Sequence, residues 1–479
     1  MRFARPSTMA RPGSRPTDRQ DDDATASADA IRSMIGSAAM DPSSLDGAAV
    51  GSQGNSAEAA SHVPVDAATP TVPSAAPRSI AVPTRTRLAI LLAALAMLGP
   101  FSIDTYLPAF PEIASSLDAS SIQVQQTMTA YMLAFAVMIL WHGALSDALG
   151  RRNVILVSLA VFVVASFGCA SAHSIQYLWA FRILQGISAG AGIVVGRAMV
   201  RDLYAGPEAE KLLSLVTMIF AIAPAIAPIL GGWVVEAFDW RTIFLMLFVY
   251  SAVLLWACWR QLPETLAVPL RQPFNAHSLW DSYKLVFGTL RFHAYAGTIA
   301  FNFIGLFIYV AAAPAFILQH LHLSGREFGW FFIPSVAGIF TGALLANRLA
   351  GRIRIGKQVR NGFFLMLGAA LVNLGYHAFF PAMVPWSVLP IFFYTVGMAL
   401  TAPGVTLMVL DLFPSHRGVA ASCQSFVQTM LGAVTAGVLA PLLSSSALTL
   451  ATAQTVCVLI ALASWRIGRS RTIAGPRAR

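Results

Sequence analysis

Gly143-Ala144-Leu145-Ser146-Asp147-Ala148-Leu149-Gly150-Arg151-Arg152 lies between two long apolar runs. Two glycines, an acid and an arginine pair crowd into the gap between segments that are each long enough to cross a hydrocarbon core. The stretch reads as a turn between two membrane helices, and the rest of the chain follows the same plan. The 479 residues are 56% hydrophobic and 11% charged, with a mean hydropathy of +0.66. Soluble domains carry about 25% charge. A hydrocarbon core of ~30 Å takes roughly 20 apolar residues per helix. Backbone polar groups find no water there, so spans are helices or closed barrels. The apolar runs here are long and do not alternate, which selects helices. The chain reads as an all-α, multi-pass membrane protein.

Twelve spans are expected, near 88–113, 122–145, 153–172, 176–200, 211–236, 242–262, 294–318, 328–350, 361–380, 383–409, 418–442 and 449–467. The longest internal polar stretch, 263–292, reads as a central loop between a six-helix bundle over 87–262 and another over 293–467. Span 8 ends Gly342-Ala343-Leu344-Leu345-Ala346-Asn347-Arg348-Leu349-Ala350-Gly351-Arg352, a weaker echo of the opening stretch at the matching place in the second half. Such internal repeats are typical of transporters. Residues 1–84 are rich in Ala, Ser, Pro, Asp and Gly. They offer too little apolar surface to offset ordering entropy and read as disordered; translation from Met9, Met34 or Met40 is an alternative. Residues 468–479 read as a basic tail. Cys169, Cys258, Cys423 and Cys457 fall inside apolar runs and read as buried small hydrophobes, not a disulfide framework.

Loop charge sets the expected orientation. One set of loops holds Arg151, Arg152, Arg197, Arg201, Lys211, Arg271, Lys284, Arg291, Arg352, Arg354, Lys357, Arg360 and Arg417, and the tail adds more. The opposite loops hold Arg241 and Arg326. The first set reads as cytoplasmic, with both termini inside. The net charge of +10 is thereby explained by topology, with no nucleic-acid partner implied.

The opening stretch matches the signature Gly-x-Leu-x-Asp-x-x-Gly-Arg-Arg of the major facilitator superfamily, with Ala148 where a basic residue is usual. Arg182-Ile183-Leu184-Gln185-Gly186 resembles that superfamily's Arg-x-x-Gln-Gly pattern. Ala227-Pro228-Ile229-Leu230-Gly231-Gly232 is similar to its antiporter motif Gly-Pro-x-x-Gly-Gly, with alanine first. Asp104-Thr105-Tyr106-Leu107-Pro108-Ala109-Phe110-Pro111 and Val200-Arg201-Asp202-Leu203-Tyr204 resemble the Bcr/CflA drug:proton antiporters. The resemblance covers residues 87 to about 467. It implies the major facilitator fold of two six-helix bundles and proton-coupled export of small apolar compounds, in a monomer of the bacterial inner membrane.

The residues themselves carry the rest of the expectation. Gly143 and Gly150 permit a tight turn, and Asp147 with Arg151 and Arg152 could latch the two bundles together; the alternative is a plain topological anchor. An acid within a span costs ~2.5–3.5 kcal/mol on insertion scales. Asp104 therefore needs water, a partner or a proton, and is the candidate proton carrier; the alternative is a wetted boundary residue. Arg182 must face a cavity or a partner, and the resemblance implies that it lines the cavity and affects protonation of the acid on span 1. The alternative is a hydrogen bond to an unwound carbonyl. Gln185 shares its helix face. Pro224 and Pro228 can bend span 5, and Gly231 and Gly232 allow close helix contact. Gly186, Gly190, Gly192 and Gly196 read as a packing face.

Tyr131, Trp141, Gln185, Phe220, Asn302, Tyr309, Phe316 and Asn373 are candidate cavity residues, with core packing as the alternative; His142 reads as a boundary residue. No phosphate-binding, metal or nucleophile motif stands out, so no cofactor, metal or enzymatic activity is expected. The expected partners are a small-molecule substrate, protons and the lipid bilayer. Competing readings are the same fold carrying a metabolite, sugar or amino acid, and a membrane receptor or scaffold that transports nothing.

Overall fold

The computed structural model describes residues 85–470. The extension 1–84 and the tail from 471 onward lie outside the described residues. Among the described residues, twelve helices are long and apolar enough to cross a membrane. In the first half, spans 1 to 6 are Thr86–Ser116, Ser121–Leu149, Arg151–Ala170, Ile175–Leu203, Lys211–Ala237 and Arg241–Gln261. In the second, spans 7 to 12 are Leu290–Ala311, Gly325–Leu349, Ile355–Phe379, Leu389–Leu412, Arg417–Leu443 and Ala447–Arg469. Each overlaps one expected run. Span 7 stops short of the expected 318 because the chain passes Pro314, which donates no backbone N–H, and continues as a π-helical segment, Ala315–His320.

Local sequence sets several ends. Ser120 accepts the backbone N–H of Gln123, whose side chain in turn accepts the N–H of Ser120, so a capping box starts span 2. Ser174 and Ser446 cap spans 4 and 12. Large apolar side chains remain exposed around the outside, including Val157, Phe364 and Val372 at 64–65%. A water-soluble surface would not tolerate so wide an apolar belt; a bilayer requires it.

Helix pairing shows the internal repeat. Spans 1 and 5, 2 and 4, and 3 and 6 pack together. The counterparts 7 and 11, 8 and 10, and 9 and 12 pack likewise. The bundles meet along two seams, span 2 against span 11 and span 5 against span 8, which the same repeat relation exchanges.

The stretch 263–292, expected as a loop, carries structure of its own. A 3-10 turn spans Val268–Leu270 and a helix spans Ala276–Phe287, capped by Asn275. Tyr283 donates to the Leu140 carbonyl of span 2 at 2.6 Å, and Phe287 meets Phe426 of span 11 edge-on at 6.1 Å. Burial pushes the Tyr283 phenol above its ordinary value. This linker helix therefore touches both bundles. It lies at the end that carries Gly150, called here the basic end; the opposite end is the far end.

Candidate functional site

Span 1 is not one continuous helix. It runs from Arg85 to Asp104, breaks at Thr105 and Tyr106, makes a 3-10 turn at Leu107–Ala109 and resumes over Phe110–Ser116. Pro108 and Pro111 sit where their missing N–H groups do least harm, at the starts of the new segments. Asp104 is the last residue before the break. It is 6% exposed, and among the described residues nothing hydrogen-bonds or pairs with its carboxyl. The wetted-boundary reading fails on that burial.

Arg182 sits beside the same break. It is fully buried, with its guanidinium 4.4 Å from the ring centres of both Tyr106 and Tyr131. Nη1 donates to the Ser102 carbonyl at 2.9 Å and to Gln185 Oε1 at 2.8 Å. Gln185 passes the chain on to Ser166 at 2.9 Å. Arg182 thus holds a carbonyl next to the break, as its alternative reading supposed, and does not pair with Asp104. Two π faces supply what a counter-ion would; desolvated cation–π contacts are worth about 2 kcal/mol or more. Among the described residues, no acceptor takes a hydrogen bond from Nε or Nη2.

The span 5 motif packs onto this region. A Cβ on Gly231 would overlap the carbonyl oxygen of Thr105, the residue after Asp104. A Cβ on Gly232 would overlap the carbonyl oxygen of Gly325, at the start of span 8 in the other bundle. One glycine touches the break and its neighbour touches the seam. Glu236, one turn on, pairs with Arg326 across the same seam. Ala227 is fully buried, while the helix Gly206–Ala237 continues through Pro224 and Pro228 without interruption. A helix break at these prolines is therefore absent.

The stretch 143–152 departs from expectation in two ways. Gly143 to Leu149 are helical, and only Gly150 turns, with φ +97°. A Cβ on Gly143 would make ordinary contact with Val194 at 3.8 Å, so no close approach is needed there. The ionic partners are also different. Arg151 bonds Asp147 at 2.5 Å, Ser146 Oγ at 2.6 Å and Asp202 at 3.1 Å. Its backbone N–H donates to Glu264 at 3.0 Å, and Arg271 pairs with Glu264 at 3.5 Å. Arg152 donates to the carbonyls of Leu262 and Trp259. These partners lie on spans 2 and 4, at the end of span 6 and in the linker. The network ties the linker to the first bundle and is not a latch between bundles. The echo repeats only the backbone: Gly351 turns at φ +74° in open space.

The candidate cavity residues do not share one cavity. Phe220 lines a small one of about 90 Å3 between spans 1, 4 and 5. Tyr131 and Gln185 are buried in the Arg182 cluster. Tyr309, Asn373 and Gln454 form a hydrogen-bonded knot inside the second bundle, with Asn373 Nδ2 2.8 Å from Tyr309 and 2.9 Å from Gln454. Phe316 packs edge-on against Tyr309, and Asn302 donates to Thr401. Trp141 packs against Phe274 of the linker, and His142 is buried against Gly190. Helical periodicity separates inside from outside but not core from cavity, hence the error. Asp202, Glu264, Tyr106 and Ser102 were missed as partners. Asp202 stood within a quoted motif, and Glu264 opens the linker.

Comparison with known proteins agrees with this architecture. The Major Facilitator Superfamily model matches residues 92–437. An uncharacterized MFS-type transporter of Bacillus subtilis, YdgK, is 35% identical over 73% of this chain and 87% of its own length. A bicyclomycin resistance protein homolog of Haemophilus influenzae is 27% identical over 80% of this chain and 96% of its own. Multidrug resistance protein D of Escherichia coli is 29% identical over 79% and 94%. In fold, the crystal structure of a D-xylose-proton symporter covers 78% of this chain and 97% of its own, with TM-score 0.61 at 12% identity. With the paired bundles, the quoted motifs and a family match over most of its length, this chain belongs to the major facilitator superfamily, in its Bcr/CflA branch.

Proposed function

We propose that this protein is a proton-coupled exporter of small, mostly apolar compounds, of the multidrug or phenicol/bicyclomycin type, working by alternating access in the bacterial inner membrane. The observation that carries the reading is the placement of Asp104. A buried, unpartnered acid sits at a break in span 1. Gly231 presses on that break, and Gly232 beside it presses on the other bundle. Proton binding at Asp104 changes the local charge where span 5 reads it, and span 5 is one side of a seam. Arg182 positions the break through the Ser102 carbonyl. The basic end, with its excess of arginine and lysine, faces the cytoplasm, so both termini are inside. The Glu236–Arg326 pair across the span 5–span 8 seam supports reading this as a state closed to the outside. Each proton returning across 100 mV supplies ~2.3 kcal/mol, enough to sustain a gradient of about fiftyfold.

The relatives named for bicyclomycin and multidrug resistance support the cargo class. The test uses inverted membrane vesicles from an efflux-deficient host. Adding an uncharged antibiotic should release protons from vesicles carrying the protein, and an uncoupler should abolish antibiotic uptake. Uptake indifferent to the uncoupler would refute proton coupling. Proton release driven by a sugar or amino acid instead would move the assignment to metabolite transport.

A further inference from the structure

At the far end, where span 7 leaves its helix, a partly open cavity of about 440 Å3 lies between the two bundles. Phe110, Ile122 and Gln125 form the wall from the first bundle; Pro314, Leu318 and Pro441 form much of the wall from the second. The volume falls within the range of roughly 300–1,000 Å3 that holds drug-sized molecules. Among the described residues that line it, none is charged. Its polar side chains are two amides, Gln125 and Gln319, and two hydroxyls, Ser121 and Ser444. Asp104, Arg182 and the 143–152 network are not in its walls.

The second-bundle wall is irregular. Ala315–His320 and Thr435–Leu439 are both π-helical, and Ala315 and Ala440 line the cavity beside them. π-helical turns are rare and gather at functional sites. Backbone that departs from the α-helix at membrane depth persists where it lines a cavity. Within the walls, Gln125 Nε2 donates to the Ala311 carbonyl at 3.0 Å, from one bundle to the other. A molecule in the cavity therefore touches a link that holds the far end together, and its own donor or acceptor competes for that link.

We propose that this cavity is a cargo site on the exit side, separate from the Asp104 region, which takes an uncharged, amphipathic organic molecule about to leave. Apolar walls favour a ring system, the amides and hydroxyls pair with its few polar groups, and the lack of a counter-charge excludes ions. Calling the occupant cargo rests on the export reading; the site and its charge selectivity do not.

The test uses the full chain in lipid nanodiscs and two photoreactive probes of similar size: neutral 4-benzoylbenzamide and cationic (4-benzoylbenzyl)trimethylammonium. Adducts are mapped by peptide mass spectrometry. The neutral probe should label the 121–125 and 311–319 segments, with the cation at least ~10-fold weaker. Ile122→Trp and Ala315→Trp fill the cavity from opposite walls and should each lower neutral labelling about tenfold. Either variant suffices if the other does not fold. Equal labelling by both probes, or labelling that a folded tryptophan variant leaves unchanged, overturns the proposal. Efflux measured in parallel separates the two readings. Labelling without efflux keeps the site and removes export; efflux without labelling removes the site alone.

Discussion

Replacing Gly232 with alanine should open the far end without unfolding the protein. Its Cβ would overlap the Gly325 carbonyl oxygen, a backbone atom that cannot rotate away. A carbon needs at least ~3 Å from such an oxygen, so the seam between spans 5 and 8 must part by roughly 1 Å. Overpacking of this kind costs about 1–3 kcal/mol. The Glu236–Arg326 pair beside it is partly exposed, at 29% and 62%, and such pairs hold only ~0–1 kcal/mol. The clash therefore outweighs the ion pair. It exists only while the seam is closed, so the whole cost falls on one state. A bias of 1–3 kcal/mol shifts the closed-to-open ratio by about 5–150-fold. Spin labels at Phe238 and His322, which flank the seam at the far end, would report the two populations as a distance distribution. The native cysteines are all buried, which keeps labelling selective. Gly231→Ala is the control. Its clash with Thr105 lies within one bundle, so it should lower thermal stability and leave the distribution less affected. A Gly232→Ala distribution equal to that of the parent protein would refute the reasoning.

Gly143→Ala should stabilise the protein by up to ~0.5–1 kcal/mol, since the position is helical with room for a methyl. Gly150→Ala should destabilise it by at least ~1–2 kcal/mol through its left-handed backbone and the overlap with Glu264; thermal unfolding in detergent compares the two. Asp104→Asn should preserve folding and abolish substrate-driven proton release in vesicles; retained release would remove Asp104 from coupling. Tyr283→Phe forfeits the bond to Leu140 and about 0.5–1.5 kcal/mol. It should speed amide exchange across 276–287, and unchanged exchange would show that the linker helix is held elsewhere.

The number of spans was legible because the bilayer imposes one length on every helix. Asp104 stood out too, because an acid among apolar residues is costly wherever it points. Partners were not. Asp147 and Arg151 are four residues apart and could be paired by eye. Asp202 and Glu264 reach Arg151 only through the packing of span 4 and the return of the chain after span 6. Tyr131 and Tyr309 show the same limit: an aromatic on an inward helix face looks alike whether it meets a ligand or another helix. The far-end cavity left no composition signal, because glutamine, serine and proline near a span end read as boundary residues.

The seams themselves bear on speed. Gly232 and Gly325 meet backbone to backbone, and in the other seam Gly432 and Gly437 lie against the methyls of Met132 and Thr129. Neither surface drives large side chains into sockets on its partner at these points. Parting the bundles there requires little withdrawal and re-seating of rotamers, so the seams offer little friction. Each added methyl then works as a brake or a wedge according to the state in which it finds room.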